Sequence, residues 1–174
     1  VESVRNLRIG PGMEPGIDIG PLVSEAQRER TRSLVEDARN SGARILTGGR
    51  RIDREGFFFE PTVVTSVPHS AVMFATETFG PILQIEPFES EDEAVNLANA
   101  LPFGLTASVW SRDIERAISL ATRLQAGTRA VNQNTGSRVE LPWGGVKSSG
   151  IGRMLSDEGI LEFTETITTR VPLS

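Results

Sequence analysis

Between Pro81 and Gln133 the apolar residues alternate between two periods, and that alternation constrains the fold more than any other feature of the chain. "PILQIEPF" (81–88) reads as a strand. Ser90 followed by Glu93 is a capping box, after which Ala94, Val95, Leu97, Ala98 and Leu101 recur at helical spacing. "LTASVW" (105–110) returns to strand. Ile114, Ala117, Ile118, Ala121 and Leu124 form a second helical stripe that stops at Gly127, and "TRAVNQ" (128–133) closes the series as a strand. Strand, helix, strand, helix, strand is a βαβαβ unit, and the crossover rule makes its strands parallel. The fold class is therefore α/β: a parallel βαβαβ sheet flanked by helices.

The flanks are read the same way. Val1, Val4 and Leu7 mark one helical face with Gly10 in the position of a C-terminal cap, as in the tail of a helix that starts before residue 1. Residues 10–21 are dense in Gly and Pro and form an exposed connector. Ser24 and Gln27 make a first capping box, opening a helix to about Asn40 that stops at Gly42. "ARILT" (43–47) and "GFFFEPTVVT" (56–65) read as strands across a polar turn. A Gly-rich loop follows residue 133, then a short helical stretch over Leu155–Glu162. In "TETITTRV" (164–171), Thr164, Thr166, Thr168 and Arg170 fall on one side and Glu165, Ile167, Thr169 and Val171 on the other. Neither side is apolar enough for a two-sided core, so this is an edge strand, and Pro172 ends its pairing.

The bulk numbers exclude several classes. A chain of 174 residues is the size of one domain, and 38% hydrophobic with 24% charged residues is a globular composition. The formal charge of −5, without a Lys/Arg cluster, argues against a nucleic-acid partner. No apolar run approaches a membrane span, and the expected compartment is cytoplasmic. With no Cys there is no disulfide, no thiolate metal site and no thiol nucleophile among these residues.

Several motifs fail on context. "GPGMEPG" (10–16) has the wrong spacing for a dinucleotide loop and neither leaves a strand nor opens a helix. In "GGVKSSG" (144–150) the Lys does not follow the Gly as a phosphate loop requires. His69, the single histidine, supports neither a catalytic triad nor a metal site and reads as a surface residue. The acidic run "ESEDE" (89–93) is explained by a helix N-terminus. Two clusters remain. Glu77 and Phe79, in "ETFGP", offer two acceptor oxygens for a ribose diol and a ring for a flat heterocycle; the competing reading is a loop carboxylate beside a core Phe. Trp143 with Gly144 and Gly145 offers an apolar wall and a backbone able to pass close to another group; the competing reading is a crossing loop with a buried Trp.

Taken in order, "GPLVSEAQ" (20–27), "FFFEPTVV" (57–64), "ETFGPIL" (77–83), "FGLTASVWSRD" (103–113), "AGTRAVNQN" (126–134) and "PWGGVKSSGIGR" (142–153) resemble the carboxy-terminal part of the aldehyde dehydrogenase superfamily. The resemblance implies that Glu77 binds the nicotinamide ribose, that Phe79 lies beside the nicotinamide, and that Leu105 is near it. It implies that Gln27 and Arg30, one helical turn apart, touch the adenosine ribose; the family often has Lys where Arg30 stands. Trp143 falls where the family usually has Phe in the aldehyde pocket, and Asn132 matches the Asn that ends the preceding strand. Thr76 and Met154 stand where the family usually has Glu.

By the same resemblance the cofactor is NAD or NADP and the substrate a small-molecule aldehyde. The reaction passes through a cysteine thioester, whose nucleophilic Cys, general-base Glu and oxyanion Asn are expected upstream of Val1. The expected organisation is an N-terminally truncated portion of the catalytic domain over 1–145, a linker with a short helix over 146–163 crossing toward the cofactor domain, and an oligomerisation strand over 164–174. A homodimer or homotetramer would form through residues 164–171. The alternative is a catalytically dead module that binds a nucleotide or a family partner, and a third reading is a degradation product without function.

Overall fold

The computed structural model describes residues 1–172. Its backbone falls into two units, Val1–Pro87 and Phe88–Ser174.

In the first unit, helix α1 (Glu2–Arg5) is a single turn that ends at Asn6. Gly10 does not cap it, contrary to the sequence reading: the Gly10 N–H donates to the Ile19 carbonyl (3.1 Å), and Ile9 bridges Ile19. The apolar spacing of Val1, Val4 and Leu7 is satisfied by one turn. The connector is closed by Arg8, whose backbone N–H (2.8 Å) and guanidinium (3.1 and 3.3 Å) all reach the Asp18 carboxylate. Those hydrogen bonds, the guanidinium's first, hold the Asp18 carboxyl below the ordinary carboxylate range. The stability it contributes is present above the unfolded-state pKa and fades as pH falls through the lowered one.

Helix α2 (Glu25–Asn40) starts where Ser24 Oγ accepts the Gln27 N–H (3.2 Å). It buries one stripe, Arg28, Thr31, Leu34, Val35 and Ala38, at the three- and four-residue spacing of a helix face. Its C-cap is Ser41, followed by Gly42 in the left-handed region (φ 102°). Strand β1 (Arg44–Thr47) runs antiparallel to β2 (Thr62–Thr65), which runs parallel to β3 (Ile82–Ile85). Phe57–Glu60, expected within β2, lie before it because Pro61 has no N–H to give a ladder; Phe58 and Phe59 are buried all the same. Val35, Ala38, Phe59, Val64 and Met73 form the centre of the core. Each large side chain there contributes about 1.5–3 kcal/mol. A 3₁₀ turn (Val72–Ala75), tied to α2 by the Val72 N–H on Asp37 Oδ2 (2.7 Å), delivers the chain to the loop before β3.

In the second unit, helix α3 (Glu91–Asn99) carries the expected cap, Ser90 Oγ accepting the Glu93 N–H (3.2 Å). The Glu93 carboxylate reaches back to the N–H of Glu89 (2.7 Å), one residue beyond the cap itself. Strands β4 (Phe103–Gly104) and β5 (Thr106–Val109), helix α4 (Ile114–Arg123) and strand β6 (Thr128–Val131) follow. β5 and β6 pair in parallel across α4. Ion pairs of Arg116 with Glu91 and of Arg123 with Asp92 join α4 to α3. β7 (Val146–Lys147) pairs antiparallel with β4, and α5 (Ser156–Leu161) is the short helix expected after it.

The α/β class and the parallel strands are as expected, with one correction. β3 takes its hydrogen bonds from β2, so the strands over 81–133 are divided among the β1–β2–β3, β4–β7 and β5–β6 ladders. The 3₁₀ turn and the following loop bring residues 82–85 alongside 62–65 in full register, which uses that edge of β3. Residues 164–172 form no ladder with the other described residues, and Ile167 and Val171 are exposed. The last two positions of the expected strand 164–174 lie outside the described residues. Among the described residues no helix is long and apolar enough to cross a membrane.

Gly127 sits just before β6, where a Cβ would lie 1.7 Å from the Gly144 carbonyl oxygen. Two backbones meet there with no room for a side chain. Gly127→Ala should destabilise the fold by at least the roughly 1–3 kcal/mol of an overpacked site. Urea denaturation of the protein that carries this chain checks it; an unchanged midpoint would mean the contact is loose.

Candidate functional site

The first cluster is built on one face of α2. Gln27 and Arg30 lie three residues apart and point the same way. Gln27 Nε2 donates to the carbonyls of Thr78 (2.9 Å) and Phe79 (3.0 Å). Arg30 Nη2 donates to the carbonyl of Glu77 (3.1 Å). Thr31, fully buried, donates its hydroxyl to the Gln27 carbonyl (2.8 Å). A Cβ at Gly80 would lie 2.8 and 2.9 Å from the Thr31 side chain, so the absence of one lets the loop press against the helix. Pro81 then gives its carbonyl to the Thr62 N–H (2.8 Å) and leads into β3.

What this loop presents is Glu77 and Phe79. Arg30 engages the backbone of Glu77 and leaves its carboxylate, on an exposed residue, outside that contact. A charge in this position needs no buried partner, and its two oxygens can accept both hydroxyls of a diol. Phe79 is 66% exposed and takes φ 46°, a left-handed conformation that costs a non-glycine residue about 1–3 kcal/mol. It is not a core Phe. The structure thus brings Gln27, Arg30, Glu77 and Phe79 together, with the first two directed at the loop's backbone.

The second unit holds the other candidates. Leu105 is exposed between β4 and β5, and its carbonyl accepts the Thr128 N–H (3.1 Å). Trp143 is half-buried and exchanges both backbone hydrogen bonds with Met154 (2.8 and 2.7 Å). Asn132, at φ 52°, clasps the backbone of Ser111: Oδ1 accepts the N–H (2.8 Å) and Nδ2 donates to the carbonyl (2.7 Å). Its amide therefore shapes the end of β6, a use the sequence reading did not foresee. The loop carrying Trp143 is strapped to the segment carrying Leu105 by residues whose part the sequence did not reveal. Lys147 Nζ donates to the carbonyls of Asn99 (2.7 Å) and Leu101 (2.9 Å) at the C-terminal end of α3, where a cation suits the helix dipole. Ser148 N–H donates to the Pro102 carbonyl and Ser149 Oγ accepts the Gly104 N–H, both at 2.9 Å. A separate apolar hollow of about 460 Å³, lined by Phe88, Val95, Trp110 and Leu120 among others, includes none of the candidate residues.

The sequence pattern of the aldehyde dehydrogenase family matches residues 1–169. The chain belongs to that family. It is 42% identical over 162 residues to aminoaldehyde dehydrogenase 1, peroxisomal, of Pisum sativum, covering 92% of this chain and 32% of the relative. It is 43% identical over 163 residues to the NADP(+) succinate-semialdehyde dehydrogenase 1 of Mycobacterium tuberculosis, covering 94% and 36%. Betaine aldehyde dehydrogenase from Staphylococcus aureus, solved in complex with NAD+, superposes with a TM-score of 0.88 at 39% identity, over 94% of this chain and 33% of that one. The chain spans about a third of the length of the curated relatives it matches.

The close approach of Gly80 to Thr31 generates a test. Gly80→Ala should push the loop off α2 at a cost of about 1–3 kcal/mol, because Thr31 is short, buried and has nowhere to move. Hydrogen exchange over residues 76–83 should rise while that of β1 and β2 stays closer to the parent. Unaltered exchange in that segment would show that the loop absorbs the methyl group.

Proposed function

We propose that the chain serves an NAD- or NADP-dependent oxidation of an aldehyde to a carboxylic acid, and that its part is to orient nucleotide and substrate. The observation that carries this reading is the loop at 77–80, where an exposed carboxylate and an exposed ring stand side by side on a backbone held from behind. Glu77 would accept the hydroxyls of the nicotinamide ribose, and Phe79 would lie against the nicotinamide. When bound, the nicotinamide supplies a hydride acceptor. By the family resemblance Leu105 would be an apolar contact for the nicotinamide and Trp143 for the aldehyde, and Asn132, through its clasp on Ser111, would fix the strand end before the Trp143 loop.

In the family a thiolate adds to the aldehyde carbonyl, the adduct gives up a hydride to become a thioester, and water hydrolyses the thioester to the carboxylic acid. Residues 1–174 include no Cys, so on this reading the thiolate is not among them. The names of the relatives, which include aminoaldehyde, succinate-semialdehyde and betaine aldehyde dehydrogenases, support an aldehyde bearing a polar or charged group at its far end.

Glu77→Gln tests the nucleotide role in the protein that carries this chain. Gln keeps the size but loses charge-assisted acceptance, about 1.5–3 kcal/mol, so cofactor use or hydride transfer should fall about ten- to a hundredfold. Steady-state kinetics with varied nucleotide that match the parent would leave Glu77 as a loop carboxylate. Residues 164–171 we propose as a subunit contact, supported by the alternation of their sequence, by the absence of a ladder to the other described residues and by the exposure of Ile167 and Val171. Deleting 164–174 should lower the mass seen by light scattering, and an unchanged oligomer with intact circular dichroism would overturn that role.

A further inference from the structure

We infer that Gln27 is a positioning residue: its amide, with the Arg30 guanidinium, holds the 77–79 backbone in the curl that presents Glu77 and Phe79. The inference rests on the reading of those two residues as the nucleotide contact. It differs from the direct contact of Gln27 with adenosine ribose that the family resemblance implies.

Three consecutive carbonyls, those of Glu77, Thr78 and Phe79, accept hydrogen bonds from α2. An extended chain alternates its groups from side to side, so three successive carbonyls facing one helix require the backbone to curl. Phe79 supplies the curl with its φ of 46°. A left-handed Phe persists only where its surroundings over-determine it. Gln27 contributes two of the three donor contacts, one to the carbonyl on each side of the 78–79 link. Arg30 holds the third and Gly80 closes the approach against Thr31.

The position of Gln27 in its own helix makes the test clean. It is the third residue after the Ser24 cap, where a Glu completes a capping box and suits the helix dipole. Gln27→Glu therefore preserves α2 while replacing an amide donor by a carboxylate facing two carbonyls. Gln27→Lys restores a donor at similar reach. In the nucleotide-free protein that carries this chain, Gln27→Glu should speed hydrogen exchange over residues 77–82 about tenfold while exchange over α2 stays near the parent's, and Gln27→Lys should restore most of the protection. In steady-state kinetics Gln27→Glu should raise the nucleotide KM about tenfold and leave the aldehyde KM unmoved.

Unchanged exchange in Gln27→Glu overturns the inference, and a raised nucleotide KM alongside it would indicate direct contact with the nucleotide instead. Faster exchange with unaltered nucleotide kinetics overturns the link from loop to binding if Glu77→Gln still impairs the enzyme. If Glu77→Gln is also silent, the nucleotide reading of the site fails and takes the inference with it.

Discussion

The first unit depends on the contact between the α2 face and the backbone of residues 77–80. Gln27 and Arg30 supply donors, Thr31 a buried wall, and Gly80 the space to reach it. Backbone carbonyls at the start of a strand have to find partners somewhere, and the loop cannot use a ladder until β3 begins at Ile82. Taking those partners from a helix side chain instead of water fixes where the loop sits. It also leaves the exposed Glu77 and Phe79 side chains outside the contacts that hold the loop down.

A parallel solution appears in the second unit with different chemistry. Lys147 places its ammonium on the carbonyl of Asn99 that ends α3 and on that of Leu101 just beyond, and Ser149 accepts the N–H of Gly104, so the Trp143 loop is fastened at the segment that ends in Leu105. Gly127 lets the same loop lie against the start of β6. In both units polar side chains are directed at backbone, and exposed carboxylate, rings and aliphatic groups are left to face outward. Chains that must bind a large flat ligand gain from this arrangement, since a rigid support lowers the entropy lost when the contact groups become ordered.

Helix starts were legible because their signals are local. Ser24 and Ser90 cap as their spacing implies, and Gly42 ends α2 in the left-handed region that glycine favours. Parallel pairing across α4 followed from the strand–helix–strand order. Pairing partners were less legible, because the residues that assign β3 to β2 lie twenty positions away in sequence and carry no mark of the choice. Gly10 was misread for a related reason: a short apolar period resembles a longer helix until a distant carbonyl, that of Ile19, claims the N–H. Glu77 and Phe79 in the first unit stood out by residue type, whereas Lys147 and Ser149 in the second did not, since their work is done on backbone that any sequence possesses.

Asn132 and Gln27 show how far residue type can carry a functional reading. Both are amides in positions where family resemblance implies contact with small molecules. In the structure each spends donor capacity on protein carbonyls, Ser111 for one and Thr78 with Phe79 for the other. An amide has two N–H groups and an acceptor oxygen, so such bonds do not by themselves bar a ligand. They do set the cost of one: a ligand that recruits the amide has to replace bonds already made, so the exchange yields little net free energy. The Glu77 carboxylate makes no such bonds among the described residues, so its hydrogen bonds with a diol would trade against water. On that difference Glu77 and Phe79 are the proposed ligand-facing groups of the first unit, and the amide behind them is proposed to act through the loop it holds.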